Sequence, residues 1–236
     1  DGMIIKYSSD GEIEWAKGIG GTNIDQINSV AECSDGGYIV GGDFYSKSID
    51  LGNGIILSNN TNGTRYTDGM VIKYNESGEV EWAEGIGGSN YDFIKSVAEC
   101  SDGGYIVGGY FSSYSIDLGN QISLTSKGDY AGMIIKYAES GEVEWAEGIE
   151  GSEYDYIESV AESSDGGYIV GGHFSSSSIG LENGISLTNK GSNDGMVIKF
   201  DKVELPNPTV IQAQGIGGNG ADSINSVATT SDGGYI

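Results

Sequence analysis

Asp1-Gly-Met-Ile-Ile-Lys-Tyr7 returns as Asp68-Gly-Met-Val-Ile-Lys-Tyr74, Ala131-Gly-Met-Ile-Ile-Lys-Tyr137 and Asp194-Gly-Met-Val-Ile-Lys-Phe200. The copies start 67, 63 and 63 residues apart, and self-similarity at a near-constant period marks a repeat architecture. The same elements follow each copy in order. Gly-Glu-Ile/Val-Glu-Trp-Ala lies at 11–16, 78–83 and 141–146, where the fourth copy carries Leu205-Pro-Asn-Pro-Thr-Val-Ile-Gln-Ala-Gln214. Gly-Ile-x-Gly stands at 18–21, 85–88, 148–151 and 215–218. An Asp and an Ile-x-Ser-Val-Ala run come next, then Ser-Asp-Gly-Gly-Tyr-Ile at 34–39, 101–106, 164–169 and 231–236.

Each unit reads as four short strands. Ile27, Ser29, Ala31 and Cys33 alternate with Asn28, Val30 and Glu32, the period of two of a strand. Asp35-Gly36 predicts a two-residue hairpin turn of type I′. Tyr38 to Phe44 is then the second strand, with Gly41-Gly42 suited to a bulge or a close backbone approach. The heptapeptide is the third strand, and Glu12 to Gly18 the fourth, after a glycine-containing turn. No window carries the 3.6-residue period of an amphipathic helix. Four antiparallel strands in each such period describe a β-propeller blade better than a solenoid coil.

The run Lys73…Gly78…Trp82…Gly87-Gly88…Asp92…Val97-Ala98…Asp102-Gly103…Tyr105…Gly108 resembles the bacterial β-propeller repeat family abbreviated SBBP. The resemblance covers nearly the whole chain, with a gap over 203–214. It implies an all-β propeller whose Ile27–Ala31 strand is innermost and whose Glu12–Ala16 strand is outermost, in a secreted or cell-surface protein. Phased so, complete blades span about 24–86, 91–149 and 154–216, with partial blades from 1–19 and 220–236. Either the termini share a blade and close a four-bladed ring, or the segment is an excerpt of a larger propeller. Starting mid-pattern at Asp1 and ending inside a strand at Ile236 favours the excerpt.

Composition narrows the function. The 236 residues include 41 Gly, 2 Pro and 35 acidic against 11 basic side chains, a net charge of −24. Without a Gly-x-y period the glycine is not collagenous, and 5 Phe, 3 Trp and 15 Tyr argue against disorder. The charge opposes nucleic-acid binding, which needs clustered Lys and Arg, and docking on anionic membranes. No apolar run approaches the roughly 20 residues of a spanning helix, so no membrane insertion is expected. Cys33 and Cys100 occupy one position in successive copies, where Ser163 and Thr230 follow, and read as small core residues rather than a disulfide pair.

Catalytic equipment is sparse, and the chain is expected to be non-enzymatic. Its single histidine, His173, stands at a variable strand end matched by Asp43 and Tyr110, and is expected to be exposed. Glu12/Glu14, Glu79/Glu81 and Glu142/Glu144 sit two apart on one strand face, as a solvated surface would. The recurring Asp25, Asp92, Asp155 and Asp222 can accept backbone N–H bonds and fix loops, or meet the recurring Lys6, Lys73, Lys136 and Lys199. Calcium ligation is the alternative role for those aspartates, since hard cations prefer carboxylates, although no Asp-x-Asp-x-Asp-Gly loop is present. No other cofactor is indicated.

Alternating strand direction puts the tight turns on one face. The second-to-third loops (about 45–67, 112–130 and 175–193) and the fourth-to-first loops then share the other. These loops are long and differ between copies, and binding groups usually sit on loops held by a rigid scaffold. Tyr91, Phe93, Tyr110, Tyr114, Tyr154 and Tyr156 on this face are the candidate ligand-binding residues, and Ile-Asp-Leu-Gly-Asn-Gly-type segments predict an added hairpin there. The expected function is an extracellular or cell-surface binding or adhesion module contacting protein or glycan. One alternative is a self-associating unit of a surface layer or filament. The other is a hydrolase or lyase working in the central channel through Glu32, Glu99 and Glu162.

Overall fold

The period-two strands pair in sequence order throughout the computed structural model, which describes residues 1–61, 65–126, 129–202, 208–230, 232 and 234–236. β1 (Gly2–Tyr7) and β2 (Ile13–Ile19) form a two-stranded sheet. The first full sheet has the order β3 (Asp25–Glu32), β4 (Tyr38–Phe44), β7 (Asp68–Tyr74), β8 (Val80–Ile86), with a hairpin of β5 (Ser48–Asp50) and β6 (Ile56–Ser58) between its second and third strands. The second repeats this with β9 (Asp92–Glu99), β10 (Tyr105–Phe111), the hairpin β11 (Ser115–Asp117) and β12 (Ser123–Thr125), β13 (Ala131–Tyr137) and β14 (Val143–Ile149). The third comprises β15 (Asp155–Glu162), β16 (Tyr168–Phe174), the hairpin β17 (Ser178–Gly180) and β18 (Ser186–Thr188), β19 (Asp194–Phe200) and β20 (Val210–Ile216). Every pairing within these sheets is antiparallel. The inserted hairpins are those expected from the loop sequence.

One local expectation changes. The Asp35-Gly36 turn is not type I′, because only Gly36 has a positive φ (81°). Gly36 N–H donates to Cys33 O at 2.9 Å and Cys33 N–H to Gly37 O at 2.8 Å, a turn ended by a left-handed glycine. Asp35 is thereby free to accept Gly37 N–H at 2.7 Å. The divergent segment of the fourth copy still makes an outer strand, with Gln212 opposite Lys199 where Trp145 stands opposite Lys136. Residues 203–207 of that segment, and Ser231 and Gly233 of the last turn, lie outside the described residues.

The core lies between sheets. Ile39 and Val71 of the first sheet pack with Ile94, Val97 and Val107 of the second, and Ile106 and Ile134 of the second with Ile157, Val160 and Val170 of the third. β3 lies against β9, and β9 against β15, so the first strands are gathered on one side. The close approach depends on glycine: a methyl on Gly41 would sit 2.6 Å from Val97 Cγ1 and 2.8 Å from Ile94 Cγ2. Buried free thiols Cys33 and Cys100 fill the same layers, and burial raises the first to about 11 and the second to about 12.

Recurring polar residues stitch one sheet to the next. Ser29 Oγ accepts Val97 N–H at 3.2 Å, Ser96 Oγ accepts Val160 N–H at 3.2 Å, and Ser159 Oγ accepts Val227 N–H at 3.1 Å. At the outer rim Trp15 Nε1–H donates to Glu76 O at 3.1 Å and Trp82 Nε1–H to Glu139 O at 3.2 Å. Ile224 and Val227 lie over Gly171, continuing the stacking beyond the third sheet. Among the described residues β1 and β2, by contrast, pair only with each other, and those of 220–236 do not join them. Met3 is accordingly 71% exposed, whereas Met70, Met133 and Met196 are fully buried.

Candidate binding surface

Within the strands the copies differ at few places. Before the recurring Asp stand Ile24, Tyr91, Tyr154 and Ala221; after it Gln26, Phe93, Tyr156 and Ser223; then Asn28, Lys95, Glu158 and Asn225. On the second strand Asp43, Tyr110 and His173 differ while their neighbours repeat. Antiparallel register sets these positions opposite one another: Gln26 faces Asp43, Phe93 faces Tyr110 and Tyr156 faces His173. The variation therefore collects at one place, where the first strands begin and the second strands end, beside the long loops.

There the rings form one continuous row. Tyr66 meets Tyr91 edge-on at 4.8 Å, Tyr91 stacks beside Phe93 at 6.2 Å, and Phe93 reaches Tyr110 at 5.0 Å. Tyr110 stands edge-on to Tyr156 at 4.5 Å and to Tyr130 at 5.6 Å. Tyr130 packs on Tyr154 and Tyr156 at 5.8 and 5.5 Å, and Tyr156 stacks on His173 at 4.7 Å. Five of the six candidate residues are thus brought together, and Tyr91 and Tyr154 keep 37% and 43% of their surface exposed. Tyr114 is not among them; it projects alone beside the hairpin, 80% exposed. Tyr66 and Tyr130 were missed because they precede the third strand in loops of unequal length. The paired variable positions on β9 and β10 were the available signal for the rest.

Polar groups border the row. Asn28 Nδ2 donates to Asp43 Oδ1 at 2.7 Å and to Ile94 O at 2.8 Å. Burial raises the pKa of Asp43 and of Glu158, and the positive charge of Lys95 opposes the rise at both. His173 is not the exposed side chain expected: it is largely covered by Tyr156, its Nδ1 lies 4.0 Å from Glu158 Oε1, and burial lowers its pKa.

The recurring aspartates act at the loop bases. Asp25 accepts Gly21 N–H at 2.8 Å, Ser46 N–H at 3.0 Å and Ser46 Oγ–H at 2.6 Å. Asp92 accepts Gly88 N–H at 2.9 Å and Ser113 Oγ–H at 2.7 Å, and Asp155 accepts Gly151 N–H at 2.6 Å and Ser176 Oγ–H at 2.8 Å. Asp222 accepts Gly218 N–H at 3.0 Å. Burial raises Asp92 to about 6 and also raises Asp155. No group of three or more His, Cys, Asp or Glu side chains able to hold a metal occurs among the described residues. A calcium ion would have to displace these donors, so melting curves in calcium and in chelator are expected to superimpose; a calcium-dependent rise would restore the metal role.

The recurring lysines do not meet these aspartates. Lys73 is buried and pairs with Asp35 of the hairpin turn at 2.7 Å and Glu81 of the outer strand at 3.0 Å. Lys136 pairs with Asp102 and Glu144, Lys199 with Asp165, and Lys6 with Glu14. Glu14, Glu81 and Glu144 are therefore ion-pair partners rather than a merely solvated face. Of the channel carboxylates, Glu99 holds Ser34 N–H at 2.9 Å and Oγ–H at 2.8 Å, and Glu162 holds Ser101 N–H at 2.7 Å and Oγ–H at 2.9 Å. Both are engaged in joining one sheet to the turn of the sheet before.

No family model matches the chain. It is similar to an uncharacterised WD repeat-containing protein of Acanthamoeba polyphaga mimivirus, 27% identical over 231 residues, covering 85% of this chain and 17% of that protein. The four-stranded units are β-propeller blades. The chain is also similar to the regulatory protein FlaEY of Caulobacter vibrioides, 29% identical over 141 residues, covering 60% of this chain and 14% of that protein. The matches thus span about a sixth and a seventh of the length of these relatives. No helix among the described residues is long and apolar enough to cross a membrane.

Proposed function

We propose that this propeller region is a non-enzymatic binding module that engages a partner protein through the aromatic row on its long-loop face. One observation carries this: blades that repeat almost residue for residue diverge at strand positions whose side chains join into a single surface. Structural demand alone would keep those positions alike, as it does for the buried Ile and Val beside them. Tyrosine suits such a surface, offering rigid apolar area with a polar tip. A secreted or cell-surface setting, with an adhesive role and glycan as the other ligand class, belongs to the same proposal and rests on the family resemblance and the acidic surface.

Protein and glycan arrays probed with the chain should yield a ligand whose affinity falls about tenfold or more in the double variant Tyr91→Ala/Tyr154→Ala, as expected of aromatic anchors. Both residues are partly exposed, so thermal melting should move little. Ligands that bind the double variant as well as the parent would overturn the proposal.

A further inference from the structure

We infer that the Tyr130–Tyr154–Tyr156 end of the row takes cationic side chains, arginine above all, from a basic segment of the partner. This rests on the binding-face proposal and adds the chemistry of what binds there. The rings of Tyr154 and Tyr156 are parallel to within 4° with centroids 6.4 Å apart, and Tyr130 packs against both. Tyr156 is also stacked on His173, and Tyr154, 43% exposed, offers the open ring. The face of such a ring is electronegative and attracts a guanidinium, which is itself planar and weakly hydrated.

Carboxylates outnumber ammonium groups around these rings, with Lys95 acting on Glu158 as the opposing charge. Asp129 and Glu153, both exposed, precede Tyr130 and Tyr154 in the chain, and Glu158 follows Tyr156 on the same strand. The chain as a whole carries −24, and four of its eleven basic side chains, Lys6, Lys73, Lys136 and Lys199, are held in ion pairs. A basic segment is therefore steered toward this molecule, and an acidic one repelled. The far end of the row already shows the contact in miniature, with the Arg65 guanidinium 5.7 Å from the Tyr66 ring centre.

Fluorescence polarisation with labelled octa-arginine, octa-lysine and octa-glutamate at physiological salt tests the inference. Octa-arginine should bind more tightly than octa-lysine, and octa-glutamate should not bind. Tyr154→Ala, which leaves the charge unchanged, should weaken octa-arginine about tenfold. Glu76→Gln/Glu139→Gln, which removes two charges on the tight-turn face, should change it less than about twofold. Octa-arginine binding that Tyr154→Ala leaves untouched would overturn the inference. In that event, an array ligand still lost on Tyr91→Ala/Tyr154→Ala keeps the binding face and removes only its cationic partner. If no ligand depends on either tyrosine, both fall.

Discussion

Gly109→Ala is expected to destabilise the chain by about 3 kcal/mol or more, the scale of an overpacked core position that cannot relax. A methyl there would fall inside the contact distance of Phe93 O and lie 3.0 Å from Ile94 Cα. Those atoms belong to the backbone of the paired strand, so no side-chain rotation relieves the clash. The register of β9 and β10 slips between Gly108 and Gly109, leaving Lys95 unpaired in a bulge, and only glycine lets the two backbones come so close. Gly42 against Gln26 O and Gly172 against Tyr156 O repeat the arrangement. Gly119→Ala is the control. Gly119 has a φ of +79° but open space around its Cβ position, so that change should cost only about 1 kcal/mol of backbone strain. Urea midpoints decide the order, and a Gly109 variant no worse than the Gly119 one would refute the packing argument. Tyr110 follows Gly109 directly, so the glycine that brings the strands together adjoins the middle of the aromatic row.

That placement explains what could be read beforehand. The paired glycines announce a close approach, and the repeat phase orders the strands, because both signals are local and occur in every copy. The partners of Lys73 were not legible. Asp35 is 38 residues away in sequence, and only the pairing of Ile39 with Lys73 brings the turn over the ammonium. Matching Asp with Lys by recurrence alone chose the wrong recurring Asp. The aromatic row was half legible. Tyr91, Phe93, Tyr110, Tyr154 and Tyr156 share strand positions and could be aligned, whereas Tyr66 and Tyr130 fall at different offsets from their third strands. Tyr114 misled because a loop position says which face a residue is on, but not where its ring turns.

Asp68→Asn is expected to stabilise the chain above about pH 7 and to flatten its stability profile between roughly pH 4 and 7. Asp68 is fully buried; Oδ2 accepts Asn60 N–H at 2.7 Å, and Oδ1 has no hydrogen-bond partner among the described residues. Burial above all, and the nearby Asp92 charge, push its pKa up from 3.8 to about 7. The folded chain therefore holds this proton more tightly than the unfolded chain. The resulting stabilisation is complete below the unfolded value near 3.8 and is lost as pH rises through 7. The full span corresponds to about 4 kcal/mol at most. Asn keeps an acceptor for Asn60 and cannot ionise, and Ala131 at the equivalent place in the next blade shows that the fold does not require a carboxyl there. Urea midpoints near pH 4.5, 6 and 8 should show the parent falling behind the variant as pH rises, with a smaller slope of the same sign left to Asp92, itself raised to about 6. Parallel profiles would mean that Asp68 does not titrate in this range. The neighbouring Thr67 O accepts Asp92 N–H at 2.8 Å and Tyr66 packs on Tyr91 at 4.8 Å. Ionising Asp68 thus puts an unpaired charge at the junction that seats one end of the aromatic row, so ligand binding that depends on Tyr91 should weaken over the same pH range and recover in Asp68→Asn.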